Sequence, residues 1–161
     1  MPCTEWSKLN NLQLGRYAEY YAKMEFASYG FEVFTSEVDD KGVDFICRKD
    51  GKWFEIQVKA MRNLNYVFMR KEHMDVENEA RLICMMRFED NKLPEVYLIP
   101  AYAWKTPTPL LKSYDYIGKK SKAEWGINLT KKNLPLLQEY EISTSLPHLS
   151  HTVDNTNISR I

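Results

Sequence analysis

Neither sign of charge dominates this 161-residue chain: Lys plus Arg and Asp plus Glu are 22 each, for a formal net charge of zero. Bulk charge therefore gives no support to nucleic-acid binding, and only a local basic patch is left as a route to it. Six glycines are present, and none builds a Walker loop or a dinucleotide-binding fingerprint. No apolar run is long enough to span a bilayer. The opening "MPCTEWSKLNNLQLG" lacks the apolar stretch of a signal peptide. The expected setting is therefore cytoplasmic, with no membrane partner. The three cysteines, Cys3, Cys47 and Cys84, are odd in number, far apart and without a CxxC pair. They read as two buried small hydrophobes and one terminal thiol. His73 falls in the loop-like "RKEHMDVENE", and His148 and His151 fall near the end of the chain. None has the context of a Ser-His-Asp or Cys-His set.

What is present suits one domain with one core. The chain is 44% hydrophobic and 27% charged, an ordinary globular balance. A helix is predicted over residues 12 to 29, where Gly15, Ala18, Glu19, Ala22 and Phe26 share a face. Gly30 is placed to end it in a left-handed cap. Strands are predicted at 31–36, 43–48, 53–61, 65–71, 80–88 and 95–100, with Asp50-Gly51 as a hairpin turn. "AYAW" begins a short helix, and a further helix is expected over 130–141. After residue 143 the composition turns to Ser, Thr, Asn and His. The expected domain is 1–144, followed by a tail at 145–161, flexible or docked on a partner. Helix first and strands after give an α+β pattern, with a central mixed sheet flanked by helices.

One strand carries the chemistry. In "WFEIQVKAM", Phe54, Ile56, Val58 and Ala60 alternate with Trp53, Glu55, Gln57 and Lys59. Glu55, Gln57 and Lys59 therefore project to one side, with neighbours about 7 Å apart. Asp44 on the preceding strand comes near the same row if the pairing matches faces. A helix bearing Glu19 is expected to cover that side. A row of polar side chains is also how an antiparallel hairpin meets water. Acids and a lysine around one point, however, suit metal-assisted phosphodiester hydrolysis. Carboxylates hold a hard cation such as Mg²⁺ or Mn²⁺, and a lysine orients the attacking water or meets charge on the phosphate.

Glu19 on a first helix, then "GVD" with Asp44, then "EIQVK" with Lys59, resembles the PD-(D/E)XK nuclease superfamily in a Gln-x-Lys variant. That superfamily includes Holliday-junction-resolvase-like and group I intron homing endonuclease members. The ordered set is Gly15, Glu19, Gly42, Asp44, Gln57 and Lys59, within residues 12 to 62. The resemblance implies a restriction-endonuclease-like fold and a Mg²⁺- or Mn²⁺-dependent deoxyribonuclease. It implies Asp44 as the main metal ligand, with Gln57 or Glu55 and the Val58 carbonyl completing the site. Glu19 would serve an outer shell or a second metal, and Lys59 would position the water. Gln57 stands where the family has an acid, so an uncharged amide replaces a carboxylate. Duplex or branched DNA is the implied partner, and a homodimer would match two sites to two strands.

A basic stretch, "KSYDYIGKKSKAEWG" (112–126), mixes Lys119, Lys120 and Lys122 with Tyr114, Tyr116 and Trp125. It reads as a solvated loop with anchoring aromatics or as a set of phosphate and base contacts. Arg62 and Arg70 are placed to line the cleft. The rival reading is a catalytically inactive nucleic-acid-binding or protein-interaction module on the same fold.

Overall fold

The computed structural model describes residues 1 to 35 and 42 to 150. Helix α1 spans Asn11–Ser28. It starts at Asn10, whose side chain accepts from the Gln13 backbone while the Gln13 side chain accepts from the Asn10 backbone. This reciprocal box satisfies two N–H groups that the first turn leaves open. It ends at Gly30, at φ 86°, where Gly30 donates to Ala27 and Phe31 donates to Phe26. That is the left-handed stop expected of the glycine.

Among the described residues eight strands follow: β1 (Glu32–Thr35), β2 (Phe45–Lys49), β3 (Lys52–Arg62), β4 (Tyr66–Arg70), β5 (Arg81–Phe88), β6 (Glu95–Pro100), β7 (Leu111–Tyr114) and β8 (Glu124–Asn128). Two short helices close the described chain, α2 (Leu134–Gln138) and α3 (Ile142–Ser150). Five strands form a central sheet in the order β1-β2-β3-β5-β6. Only β3 and β5 run parallel, so the sheet is mixed. A second, antiparallel sheet has the order β4-β8-β7. The Asp50-Gly51 turn between β2 and β3 has φ 53° and 75°, as a tight hairpin of this kind requires.

The central sheet separates two hydrophobic cores. On one face Leu14, Ala18, Ala22 and Phe26 of α1 pack against Phe45, Phe54 and Ile56, joined by Leu146 of α3. Ala18 and Ala22 are fully buried, so the helix lies close to the sheet. On the other face Met61, Ile83, Met85 and Ile99 meet Met69, Leu111 and Ile127 of the second sheet, with Trp104 and Leu137. Strand β5 is buried along its whole length because it faces both cores. Cys47 and Cys84 are buried and Cys3 is exposed. Burial pushes the Cys47 thiol up to about 12, in keeping with a small hydrophobe. No helix among the described residues is long and apolar enough to cross a membrane.

Four expectations change. First, α1 covers the greasy side of β3, against Phe54 and Ile56. The row of Glu55, Gln57 and Lys59 faces the opposite way, with Met61 and the second sheet. Alternation reveals that a strand has two faces but not which one a helix takes. Second, the basic stretch at 112–126 is not all loop: its two ends belong to β7 and β8, and residues 115–123 connect them. Third, the helix expected over 130–141 is confined to Leu134–Gln138. Fourth, the domain boundary drawn at residue 144 cuts through α3, and Leu146, in the stretch read as tail, is buried at 3% exposure. Residues 151 to 161 of that stretch, with His151, lie outside the described residues.

Docking of α3 is thus part of the main core. Leu146→Ala is expected to lower the unfolding free energy by about 2–4 kcal/mol. A urea melt of the variant that overlays the wild type would show that α3 contributes nothing to the fold.

Candidate functional site

Asp44 sits where β2 enters the sheet, and it is fastened to β3 twice. Its backbone N–H donates to the Ile56 carbonyl at 2.8 Å, and its carboxylate accepts from the Val58 N–H at 2.6 Å. A carboxylate accepting a backbone N–H is a short, charge-assisted contact that fixes its orientation. Asp44 and Val58 then form one wall of an open pocket of about 220 Å³. The first two turns of α1 form the other wall, through Asn11, Leu12, Gly15, Arg16 and Glu19. A Cβ added at Gly15 would meet nothing within 4 Å. Packing therefore does not require glycine there, although glycine costs a helix interior about 1 kcal/mol relative to alanine.

Glu19 lies at the pocket with Arg16 at 3.6 Å and Lys23 at 3.5 Å. Asp44, Val58 and Glu19 thus line one pocket. Lys59 follows on β3. Burial pulls its ammonium below the usual lysine range, the Asp44 charge opposes that shift, and the Arg70 charge adds to it. Lys59 therefore stands in the fields of Asp44 and of Arg70 on the second sheet.

Gln57 is buried at 7% exposure. Its Oε1 has no hydrogen-bond partner among the described residues. Gly42 presses on the same side chain: a Cβ there would stand 2.9 Å from Gln57 Nε2. With φ at 75°, position 42 needs glycine both for its backbone and for this close approach. A buried amide oxygen without a partner costs about 1–3 kcal/mol. It is also a hard, neutral donor for a cation that prefers oxygen. Together with the anchored Asp44 carboxylate it fits a divalent metal of that kind, in a site of low charge.

Glu55 does not line the pocket. Its carboxylate accepts from Arg81 Nε at 3.2 Å and from Asn78 Nδ2 at 3.1 Å. Among the described residues, no group of three His, Cys, Asp or Glu converges to hold a metal. The predicted DNA contacts also divide. Arg62 donates to the Leu9 carbonyl, away from the pocket. Arg70, on the second sheet, exerts its charge on Lys59. Lys119 and Lys120 are exposed between β7 and β8, and Lys122 pairs with Glu72 at 3.1 Å. Sequence reasoning missed Asn11 and Arg16. Their helical spacing from Gly15 and Glu19 was the available signal.

No family model matches the sequence, and no curated protein matches it. Among solved structures, the chain is similar to Hjc, a Holliday junction resolvase from the archaeal hyperthermophile Archaeoglobus fulgidus. The identity is 14%, the TM-score 0.52, and the match covers 80% of this chain and 92% of that one. It is also similar to I-Ssp6803I, a bacterial homing endonuclease, at 15% identity and TM-score 0.54, over 88% of this chain and 93% of that one. Both have restriction-endonuclease-like folds, and the central mixed sheet with α1 packed on one face is that architecture in this chain.

Proposed function

We propose that this chain is a metal-dependent endonuclease that hydrolyses DNA phosphodiester bonds at the Asp44 pocket. The observation that carries the reading is the anchored Asp44 carboxylate beside an orphaned Gln57 amide oxygen, with the half-buried Lys59 two residues further along β3. Its fold, shared with a resolvase and a homing endonuclease, supports the same conclusion. Asp44 would hold Mg²⁺ or Mn²⁺ with Gln57 Oε1 and the Val58 carbonyl, and Glu19 would act from the pocket's other wall. The ion, when bound, supplies a more acidic water and neutralises charge on the phosphate. The chain's own residues do the rest. Lys59, desolvated and close to Asp44, orients the attacking water and meets the charge that builds on the phosphate. Arg16 and the first turn of α1 present positive potential to an incoming phosphate. One site per chain cuts one strand, so cleavage of a duplex calls for two copies related by a two-fold axis.

A second reading is favoured by the binding of Glu55 to Arg81, which leaves Asp44 and Glu19 as the carboxylates of the pocket. On that reading the chain binds nucleic acid without cutting it.

Nicking of supercoiled and branched DNA in Mn²⁺ separates the two. Asp44→Ala is expected to reduce cleavage at least about 100-fold, and EDTA to abolish it. A wild-type protein that binds DNA but neither binds Mn²⁺ nor cuts would establish the binding module instead. Gly15→Ala should raise stability by about 0.5–1 kcal/mol while slowing cleavage, because its methyl group stands in open pocket space. Equal or faster cleavage by this variant would remove the pocket from the reaction. Gln57→Glu adds a charged ligand and is expected to tighten Mn²⁺ binding at least about tenfold, since ligand charge sets affinity. Calorimetric titration showing unchanged affinity would place Gln57 outside the metal site.

A further inference from the structure

The second sheet has one face in the core and one that faces outward. Val67, Met69, Trp125, Ile127 and Leu111 point inward. Alternation sends Tyr66, Phe68 and Arg70 of β4 and Lys112 and Tyr114 of β7 outward. The register aligns Arg70 with Glu124, and Glu124 with Tyr114. It also aligns Phe68 with Gly126, and Gly126 with Lys112. The outward face is therefore aromatic and basic at once.

Its rings are held in place. The Tyr66 ring lies across β8 above Gly126, where a Cβ would come within 2.4 Å of it. The Tyr66 hydroxyl donates to Glu124. Glu124 is only 6% exposed, although it points to the outer face, because Tyr66, Tyr116 and Arg70 close over it. Phe68 and Tyr66 stack with centroids 6.4 Å apart, Tyr66 meets Tyr114 at 6.4 Å, and Tyr114 stacks on Tyr116 at 5.6 Å. The Arg70 guanidinium lies 4.8 Å from the Phe68 ring centroid. Burying a carboxylate to fix rings that themselves stay in water is costly. Phe68 at 38% and Tyr114 at 39% exposure gain no core burial from the arrangement. The rings are fixed outward, toward solvent.

We propose that this face is a stacking platform for unpaired bases, with Phe68 and Tyr114 receiving the bases and Arg70 and Lys112 receiving the phosphates. Every base has a π-face, so aromatic stacking tolerates any sequence, and flanking cations track the backbone. Paired bases inside a duplex do not offer those faces. Asp115, next to Tyr114, is paired with Lys71 at 2.8 Å, and Glu124 is covered, so the accessible charge of this face is positive and complements phosphate. Arg70, which lies against the Phe68 ring, also exerts its charge on Lys59 of β3, whose ammonium feels Asp44. As far as substrate delivery is concerned, the inference rests on the Asp44 pocket being the cleavage site. It implies a preference for frayed, flapped or single-stranded DNA ends next to the cut.

The test is fluorescence anisotropy in EDTA, which removes cleavage, with a labelled 15-mer of thymidine and a blunt duplex of the same length. The single strand is expected to bind the wild type. Phe68→Ala with Tyr114→Ala should lose roughly 10- to 100-fold for the single strand and change duplex binding little. Phe68→Leu keeps apolar bulk and folding but removes the stack, so it should bind as weakly as Phe68→Ala, while Phe68→Trp should retain binding. Equal losses on both oligonucleotides, or a Phe68→Leu variant that binds like wild type, would overturn the platform. So would a wild-type chain that ignores the single strand and instead forms a dimer that Phe68→Ala dissolves. Platform-dependent binding by a protein that never cuts DNA would sink the nuclease reading and leave this one standing.

Discussion

Strand β3 is the element on which everything else depends. It pairs antiparallel with β2 and parallel with β5. One of its faces packs under α1, and the other turns toward the second sheet. Because its side chains alternate, one backbone serves an apolar core and a polar row at once. The Asp44 carboxylate is pinned to this strand through the Val58 N–H. The pocket is thus built from main-chain geometry, and its position is as rigid as the sheet. A loop-borne carboxylate would have to find its place each time.

The second sheet gives that rigidity a further use. Trp104 donates from its ring N–H to the Gly126 carbonyl at 3.0 Å, from the core side of the sheet. The outer side of the same glycine receives the Tyr66 ring. One residue without a side chain therefore connects the second core with the outward aromatic face. Arg70, on the strand beside it, links that face to Lys59.

Much of this was legible in the sequence, for identifiable reasons. Leu14, Ala18, Ala22 and Phe26 recur every four residues, so α1 shows itself by periodicity. The Asp50-Gly51 turn shows itself by chemistry, and the order Glu19, Asp44, Lys59 stands out only through its resemblance to a nuclease pattern. Which face of β3 the helix covers was not legible, because a period of two carries no handedness. β7 and β8 were hidden because each is short, and β8 carries Gly126 at its centre. α3 was hidden by Pro147, its serines and Thr144. The fate of Glu55 depends on Arg81, 26 residues away, and no local pattern announces such a partner. The unsatisfied Gln57 oxygen and the approach of Gly42 to the same side chain are again properties of the folded backbone.

The parallel pairing of β3 with β5 also has a consequence for biosynthesis. The chain leaving β3 first contributes β4 to the other sheet, and β4 pairs only with β8, whose residues begin at Glu124. While a ribosome is still making the intervening segment, the β2–β3 hairpin and its Asp44 anchor can form, since their contacts are local. The second sheet that carries Arg70 cannot, because β4 has no strand to lie against. Such non-local pairing delays completion of a fold until distant segments have met. A nascent chain therefore carries its acidic half-site before the lysine's surroundings exist, and the complete constellation is assembled only near the end of synthesis.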